Sequence, residues 1–234
     1  MNLKEKIFAY KTCEYIKDMG TPDRLVKSEK DYLSGKIAGL NKQKKQRAVF
    51  LDRDGVINND VDNLSNIDDF ELLNNVSEAV NKINKSEYLC ILVTNQPAVA
   101  KGFLSRQGLR EIHKKMETLL GNDKAYFDEI YFCPHHPESG FEGEIKELKI
   151  NCECRKPKPG MLLKAAKDYN IDLKNSWMIG DREADLIAGT EAGCKTVHIN
   201  QKNNEKSYYS DYEFSDLSES VEFINKYENM GLFV

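Results

Sequence analysis

Four apolar residues, Ala48-Val49-Phe50-Leu51, run directly into Asp52-Arg53-Asp54-Gly55-Val56-Ile57-Asn58. A short, wholly apolar run bounded by an Asp-Gly turn reads as a buried parallel strand. In an open α/β sheet, ligands bind outside the carboxyl ends of the strands. Two carboxylates, two residues apart, are thus delivered to the mouth of a sheet, where a metal ion and a phosphate ester could both meet them. A polar turn after a core strand looks the same locally, so the decision falls to the rest of the chain.

From residue 48 onward the pattern is strand–helix alternation, the mark of a parallel sheet. The expected strands are Ala48–Leu51, Tyr88–Val93, Glu129–Phe132, Trp177–Ile179, Thr196–Ile199 and a short Tyr212–Phe214. The expected helices are Val76–Lys85, a helix capped by Ser105 and running to about Leu120, Gly160 to before Asn170, Glu183–Glu191 closed by Gly193, and Ser218–Tyr227. Trp177, the only tryptophan, reads as core. With 234 residues and 40% hydrophobic content, the chain can bury a real core. A net charge of −4 with no basic-aromatic groove argues against nucleic acid. The residues from Met1 to Tyr10 lack an apolar signal core, and no long apolar run follows, so the expectation is a soluble cytoplasmic protein without a membrane partner. The six cysteines then read as thiols or metal ligands.

Four of the six expected strand ends carry chemistry. Strand two closes in Thr94-Asn95-Gln96, small polar groups suited to a phosphoryl oxygen. Strand four closes in Gly180-Asp181-Arg182-Glu183-Ala184-Asp185. Asp52, Asp54 and Asp181 could converge on one hard cation, and Mg2+ commonly takes a few carboxylates plus a substrate phosphate. Asp185, four residues on, reads either as a group supporting the metal ligands or as a helical surface residue, the surface reading being preferred. After strand three come Cys133-Pro134-His135-His136-Pro137 and then Cys152-Glu153-Cys154. Two cysteines, one of two neighbouring histidines and a further cysteine match a closed, tetrahedral structural zinc site. The loop between the pairs is too polar to bury a core of its own, so a metal would hold it where burial cannot. Directly behind lies Arg155-Lys156-Pro157-Lys158-Pro159-Gly160, where the prolines forbid helix and stiffen two cations suited to phosphate.

Asp-x-Asp-Gly, Thr-Asn-Gln, Arg-Lys-Pro and Gly-Asp, in this order, resemble the four motifs of the haloacid-dehalogenase-like phosphatases. The Cys-x-His and Cys-x-Cys pairs with Cys154-Arg155-Lys156-Pro157-Lys158-Pro159-Gly160-Met161 resemble the subgroup that includes phosphatases of D-glycero-D-manno-heptose 1,7-bisphosphate and of histidinol phosphate. The likeness covers about residues 47–228. It implies a three-layer, Rossmann-like α/β fold with a parallel sheet, no large cap and a zinc-clipped loop. It implies Asp52 as nucleophile, Asp54 as general acid and base, and Thr94 and Lys156 on the transferred phosphoryl group. It places Mg2+ between the Asp52 carboxylate, the Asp54 carbonyl and Asp181, and zinc on Cys133, His135, Cys152 and Cys154, choosing His135 over His136. Arg155 and Arg182 would bind the rest of a sugar phosphate, with Asp60, Asn63, Asn95 and Gln96 lining the sugar pocket. The implied activity is phosphate release from the heptose bisphosphate, for nucleotide-activated heptose or surface polysaccharide synthesis. Asp62-Asn63, Pro97-Ala98 and Arg182 depart from the subgroup's usual residues. They leave the chemistry alone and open the substrate to histidinol phosphate or another sugar phosphate. The intact set Asp52, Asp54, Thr94, Lys156 and Asp181 argues against a non-catalytic module.

Residues 1–47 stand apart from the expected phosphatase domain, 48–234. Tyr15-Ile16-Lys17-Asp18-Met19-Gly20-Thr21-Pro22 is a turn entering a helix, with Thr21 as N-cap and Pro22 at the first helical position. This stretch resembles the tail of sugar-phosphate nucleotidyltransferases, though their glycine-rich nucleotide loop is absent. A helix from Asp23 to about Ser34 and a basic linker, 41–47, complete an arm expected to pack on the main domain or on a nucleotidyltransferase.

Overall fold

The computed structural model describes Thr12, 14–33, Ile37, Asn41, 43–200 and 207–229. Helix α1, Pro22–Leu33, belongs to the arm, with Thr21 Oγ1 accepting from Arg24 N. Its expected end at Ser34 lies outside the described residues. In the arm, Tyr15 Oη and Lys17 Nζ both donate to Asp31 (2.8 and 2.9 Å). In α1 itself, Leu25, Val26, Tyr32 and Leu33 are exposed and only Ser28 is buried.

The chain then builds β1 Arg47–Leu51, α2 Val76–Asn84, β2 Tyr88–Asn95, α3 Pro97–Ala100, α4 Arg106–Asn122, β3 Glu129–Cys133, α5 Gly160–Tyr169, β4 Trp177–Gly180, α6 Glu183–Ala192, β5 Lys195–Ile199, β6 Tyr212–Phe214 and α7 Leu217–Asn229. The expected elements are all present, with ends moved by a few residues. The brief helix α3 directly after Gln96 was not expected, because its four residues are too few to show a helical period. Ser105 caps α4 through Gly108 N (2.9 Å), Asn170 closes α5 in the left-handed region (φ 54°), and Gly193 does the same for α6 (φ 87°).

All six strands are parallel, in the order β3-β2-β1-β4-β5-β6. Successive side chains of a strand point to opposite faces. Val49 and Leu51 of β1 therefore pack with α2, α4 and α7, whereas Ala48 and Phe50 pack with α5 and α6. This gives the three-layer α/β arrangement. The chain order reverses at β1, which has β2 on one side and β4 on the other. Such a switch point opens a crevice at the carboxyl ends, and Asp52 and Asp181 stand there. No helix among the described residues is long and apolar enough to cross a membrane. The only tryptophan, Trp177, is wholly buried against Tyr212, Phe223 and Tyr227.

Asp128, at the entry to β3, accepts from Cys90 N (2.8 Å) and returns its own N–H to the Cys90 carbonyl (2.8 Å). Burial pushes its carboxyl up to about 6. A raised carboxyl makes the native state hold a proton that the unfolded chain has lost, so stability falls as pH rises through about 4 to 6. Asp128→Asn keeps the acceptor and removes the charge. Thermal melts should show it more stable than the parent by about 1–2 kcal/mol at pH 7.5 and nearly equal at pH 4.5. An equal gain at both pH values would show that the charge is not the cause.

Candidate active site

Lys156 is the centre of the site. Its side chain is 1% exposed, and its ammonium lies 2.7 Å from Asp52 Oδ1 and 2.6 Å from Asp185 Oδ1. It also donates to the Val93 carbonyl (2.7 Å), one residue before the end motif of β2. Its main chain is clamped by Asn95, whose side-chain oxygen accepts from Lys156 N (3.1 Å) and whose amide donates to Lys156 O (3.0 Å). Asn95, expected at the sugar pocket, thus spends its amide on holding the lysine in place.

Asp52 leaves β1 at the switch point and is 7% exposed. Asp52, Asp181 and Asp185 each turn a carboxylate oxygen into one cluster, all within 4.8 Å of one another. Asp185 is therefore no surface residue: it is 2% exposed. It sits in the first turn of α6, where it also accepts from Arg182 N (3.1 Å). An acid three residues after a helix start is a capping signal, and that signal was legible in the sequence. The turn after β1 brings Gly55 against Asp181. Gly55 has φ +80°, and a Cβ there would stand 2.3 Å from Asp181 Oδ2, so only glycine fits.

Lys156 meets two of the three acids, and the cation nearest Asp181 is Arg182, 3.9 Å away. Burial, and then the Asp185 charge, push Asp52 up to about 7 against the pull of Lys156. Burial, then Asp52 and Asp185, push Asp181 up to about 7 as well. Asp181 Oδ1 is buried and has no hydrogen-bond partner. An oxygen-only cluster with surplus negative charge and an orphaned acceptor suits a hard divalent cation.

Asp54 is held differently. Its Oδ1 accepts from Arg53 Nε (3.1 Å), Arg53 Nη2 (2.8 Å) and Asn58 Nδ2 (3.0 Å). Its Oδ2 accepts from Arg53 Nη2 (3.0 Å) and Gln96 Nε2 (3.1 Å). Gln96 also donates to Thr94 Oγ1 (2.9 Å), so it joins the end of β2 to the acid rather than reaching outward. Arg53 and Asn58, each 1% exposed, went unread in the sequence, where Arg53 looks like a spacer between two aspartates. Arg182 pairs with Asp60 (2.6 Å), and Asn63 accepts from Lys101 (3.3 Å).

A second cluster stands beside this one. Cys133, His135, Cys152 and Cys154 come together, with Sγ–Sγ separations of 3.3 to 3.5 Å and His135 Nδ1 at 3.3 Å from Cys154 and 3.6 Å from Cys133. Four ligands about 2.0–2.3 Å from one ion stand roughly 3.5–3.8 Å apart in a tetrahedron, so the cluster can close on one metal. His136 is turned away, its ring edge-on to Phe141 and its Nδ1 3.4 Å from the Glu138 carbonyl. The geometry thus chooses His135. Arg155, immediately after Cys154, donates to the His135 carbonyl (3.3 Å). The cavity lined by Tyr15, Met19, Leu25 and Tyr32 belongs to the arm and holds none of this chemistry.

A buried carboxylate against a buried lysine, within an oxygen-only acidic cluster at the switch point of a parallel sheet, is the arrangement of a hydrolase of phosphate esters. A family model described as HAD-hydrolase-like matches residues 153–217. The chain is 43% identical over 152 residues to the D-glycero-beta-D-manno-heptose-1,7-bisphosphate 7-phosphatase of Haemophilus ducreyi, covering 64% of this chain and 81% of that protein. It is 40% identical over 153 residues to the D-glycero-alpha-D-manno-heptose-1,7-bisphosphate 7-phosphatase of Burkholderia mallei, covering 65% and 79%. The crystal structure of the D,D-heptose 1,7-bisphosphate phosphatase from B. bronchiseptica, complexed with magnesium and phosphate, superposes with a TM-score of 0.67 at 28% identity, covering 77% of this chain and 99% of that one. The chain belongs to the HAD-like phosphatases, in the family of these heptose-bisphosphate enzymes, and is a phosphoric monoester hydrolase.

The raised carboxyls set a pH dependence. With Asp52 and Asp181 both lifted toward about 7, the protein without added divalent cation should lose stability as pH rises toward 7. A divalent cation bound there would relieve the same repulsion and compete with protons. After dialysis against Mg2+-free buffer, the melting-temperature gain on adding Mg2+ should be larger at pH 7.5 than at pH 5.5. A gain independent of pH would remove the carboxylate cluster as the cation's site.

Proposed function

We propose that the chain is a Mg2+-dependent phosphatase that removes the 7-phosphate of D-glycero-D-manno-heptose 1,7-bisphosphate. The observation that carries this reading is the contact of Lys156 with Asp52 inside the carboxylate cluster, in a chain about two-fifths identical to phosphatases of that name. The catalytic unit is taken as residues 48–234, with the sheet's first strand beginning one residue earlier, at Arg47.

Asp52 attacks phosphorus, forming a carboxyl–phosphate bond as the bond from phosphorus to the sugar oxygen breaks. Asp54 gives its proton to the leaving oxygen, then takes one from the water that cleaves the aspartyl-phosphate and frees inorganic phosphate. Arg53, Asn58 and Gln96 hold the Asp54 carboxyl in place for both proton transfers. The proton it takes from the water is the one it gives to the leaving oxygen of the next turnover, so the cycle balances. Lys156 and Thr94 meet the equatorial oxygens as charge spreads onto them. Asp52, Asp181 and the Asp54 carbonyl would hold Mg2+, which when bound would offset the repulsion between carboxylate and phosphate. Arg155 reaches the far end of the substrate. Cys133, His135, Cys152 and Cys154 hold zinc and thereby fix the loop that carries Arg155 and Lys156.

Asp52→Asn should abolish turnover, because an amide is a poor nucleophile and a weak ligand. Asp54→Asn should slow phosphate release roughly 10²–10⁴-fold, more for a sugar than for an activated aryl leaving group. Phosphate release from the heptose bisphosphate is the decisive assay, and a parent protein inactive on it would sink the reading.

The zinc assignment is tested by elemental analysis. Protein purified without chelator should carry about one zinc per chain that dialysis against Mg2+ leaves in place, and Cys152→Ser should lose most of it. Metal-free protein with an unchanged melting temperature would leave the cluster as plain thiols.

A further inference from the structure

We propose that His198, anchored by Glu213, is a positioning residue for the cation site: it holds the main chain of Asp181 and so aims that carboxylate. This rests on the reading of Asp181 as a Mg2+ ligand and names what keeps that ligand in place.

The sheet sets these residues in one row. Gly180 of β4 pairs in register with His198 of β5, and His198 with Glu213 of β6. Residues in register on neighbouring strands share a face of the sheet. His198 is therefore level with the last residue of β4, directly before Asp181. Its Nε2 lies 3.2 Å from the Asp181 carbonyl. A carbonyl only accepts, so Nε2 carries the hydrogen and donates it. Its Nδ1 lies 3.3 Å from Glu213 Oε1, which fixes the plane of the ring. The two side chains are 13% and 22% exposed, so water competes little for either contact. Glu213 is itself held, its Oε1 accepting from Ser207 N (2.9 Å) and Ser210 Oγ (3.2 Å). Burial works against its charge, but Ser207, His198 and Ser210 outweigh it and hold the carboxyl below its usual range.

Asp181 needs such a hold. Helix α6 begins at Glu183, and the Arg182 carbonyl accepts from Asp185 N (3.0 Å) and Leu186 N (3.5 Å). The Asp181 carbonyl lies one residue outside that ladder, so the helix does not fix it. The carboxylate is loosely held as well. Its Oδ1 is buried without a hydrogen-bond partner, and Arg182 stands 3.9 Å from its Oδ2. Gly55 closes the opposite side, where a Cβ would stand 2.3 Å from Asp181 Oδ2. A carboxylate kept open for an ion has to be aimed through its backbone, and the His198 contact does this from the neighbouring strand. Hydrogen bonds that orient metal ligands from outside are worth about 10- to 100-fold in metal affinity.

The test uses the full chain dialysed into Mg2+-free buffer. Calorimetric titration with Mg2+ gives the affinity directly, and phosphate release at rising Mg2+ gives kcat at saturation. His198→Leu keeps the bulk of the ring and removes both of its contacts. It should weaken Mg2+ binding about tenfold and leave kcat at saturating Mg2+ within about twofold. His198→Gln, whose amide N–H extends to a similar length, should bring the affinity back to within about threefold of the parent. If His198→Leu fails to fold, Glu213→Leu, which frees the ring, carries the same titration and should weaken binding in the same direction. Parent-like affinity in the folded variant, or equal losses in His198→Leu and His198→Gln, overturns the positioning role while the phosphatase reading stands. A fall in kcat at saturation with the affinity unchanged overturns it too. A parent chain that binds no Mg2+ withdraws the cation site itself, and this inference with it.

Discussion

The arrangement depends on one buried ammonium. Lys156 is taken from water into contact with Asp52 and Asp185. Desolvating a lysine is expensive, and only close opposite charge offsets it. Desolvating three carboxylates beside it leaves the cluster with more negative charge than one lysine can meet, which is why Asp52 and Asp181 are both lifted to about 7. Much of the rest of the structure serves to hold this imbalance. Gly55 lets the β1 turn approach Asp181, Asn95 clamps the Lys156 main chain, and the Val93 carbonyl takes the third contact of the ammonium. A cluster with this surplus of negative charge suits a hard cation between the acids.

Lys156 is carried by a loop with little core of its own. Leu148 is the one buried apolar side chain across 137–151. The four metal-ligand side chains gather its two ends, and Gly160 N donates to the Glu153 carbonyl (3.1 Å) where the loop re-enters α5. Its middle is held by Phe141, which packs against Phe103 and two lysines, and by Glu144, which closes the turn through two main-chain N–H groups. The same contacts gather Lys101 and Lys149 onto the loop's one packed aromatic ring.

The elements were readable because their signals are local. Apolar runs, the Ser105 cap, and Asn170 and Gly193 at helix ends follow from residues within a turn or two of each other. The pairing of Cys133 and one of His135 and His136 with Cys152 and Cys154 was readable because tetrahedral ligation has a characteristic spacing and donor set, and the family resemblance chose His135. The strand ends were readable because parallel sheets put ligands there. Sequence by itself therefore determined the fold class, the acids Asp52, Asp54 and Asp181, and the cations Arg155 and Lys156.

Only the folded chain decided how those groups are shared. Asp185 looked like a surface residue because the helical period around it is weak; the β4 register and the capping contact with Arg182 turn it inward onto Lys156. Arg53 sits between two aspartates and is spent on one of them, which depends on the β1 turn closing back through Asn58. Asn95 and Gln96, four decades of sequence away from their partners Lys156 and Asp54 at the least, turn inward because the sheet brings strand ends side by side. Lys101 and Lys149 carried no local signal, since a lone lysine in a polar stretch reads as solvated. Charge neutralisation acts through space, so which cation meets which anion is fixed by the strand order and the loop packing, and these exist only in three dimensions.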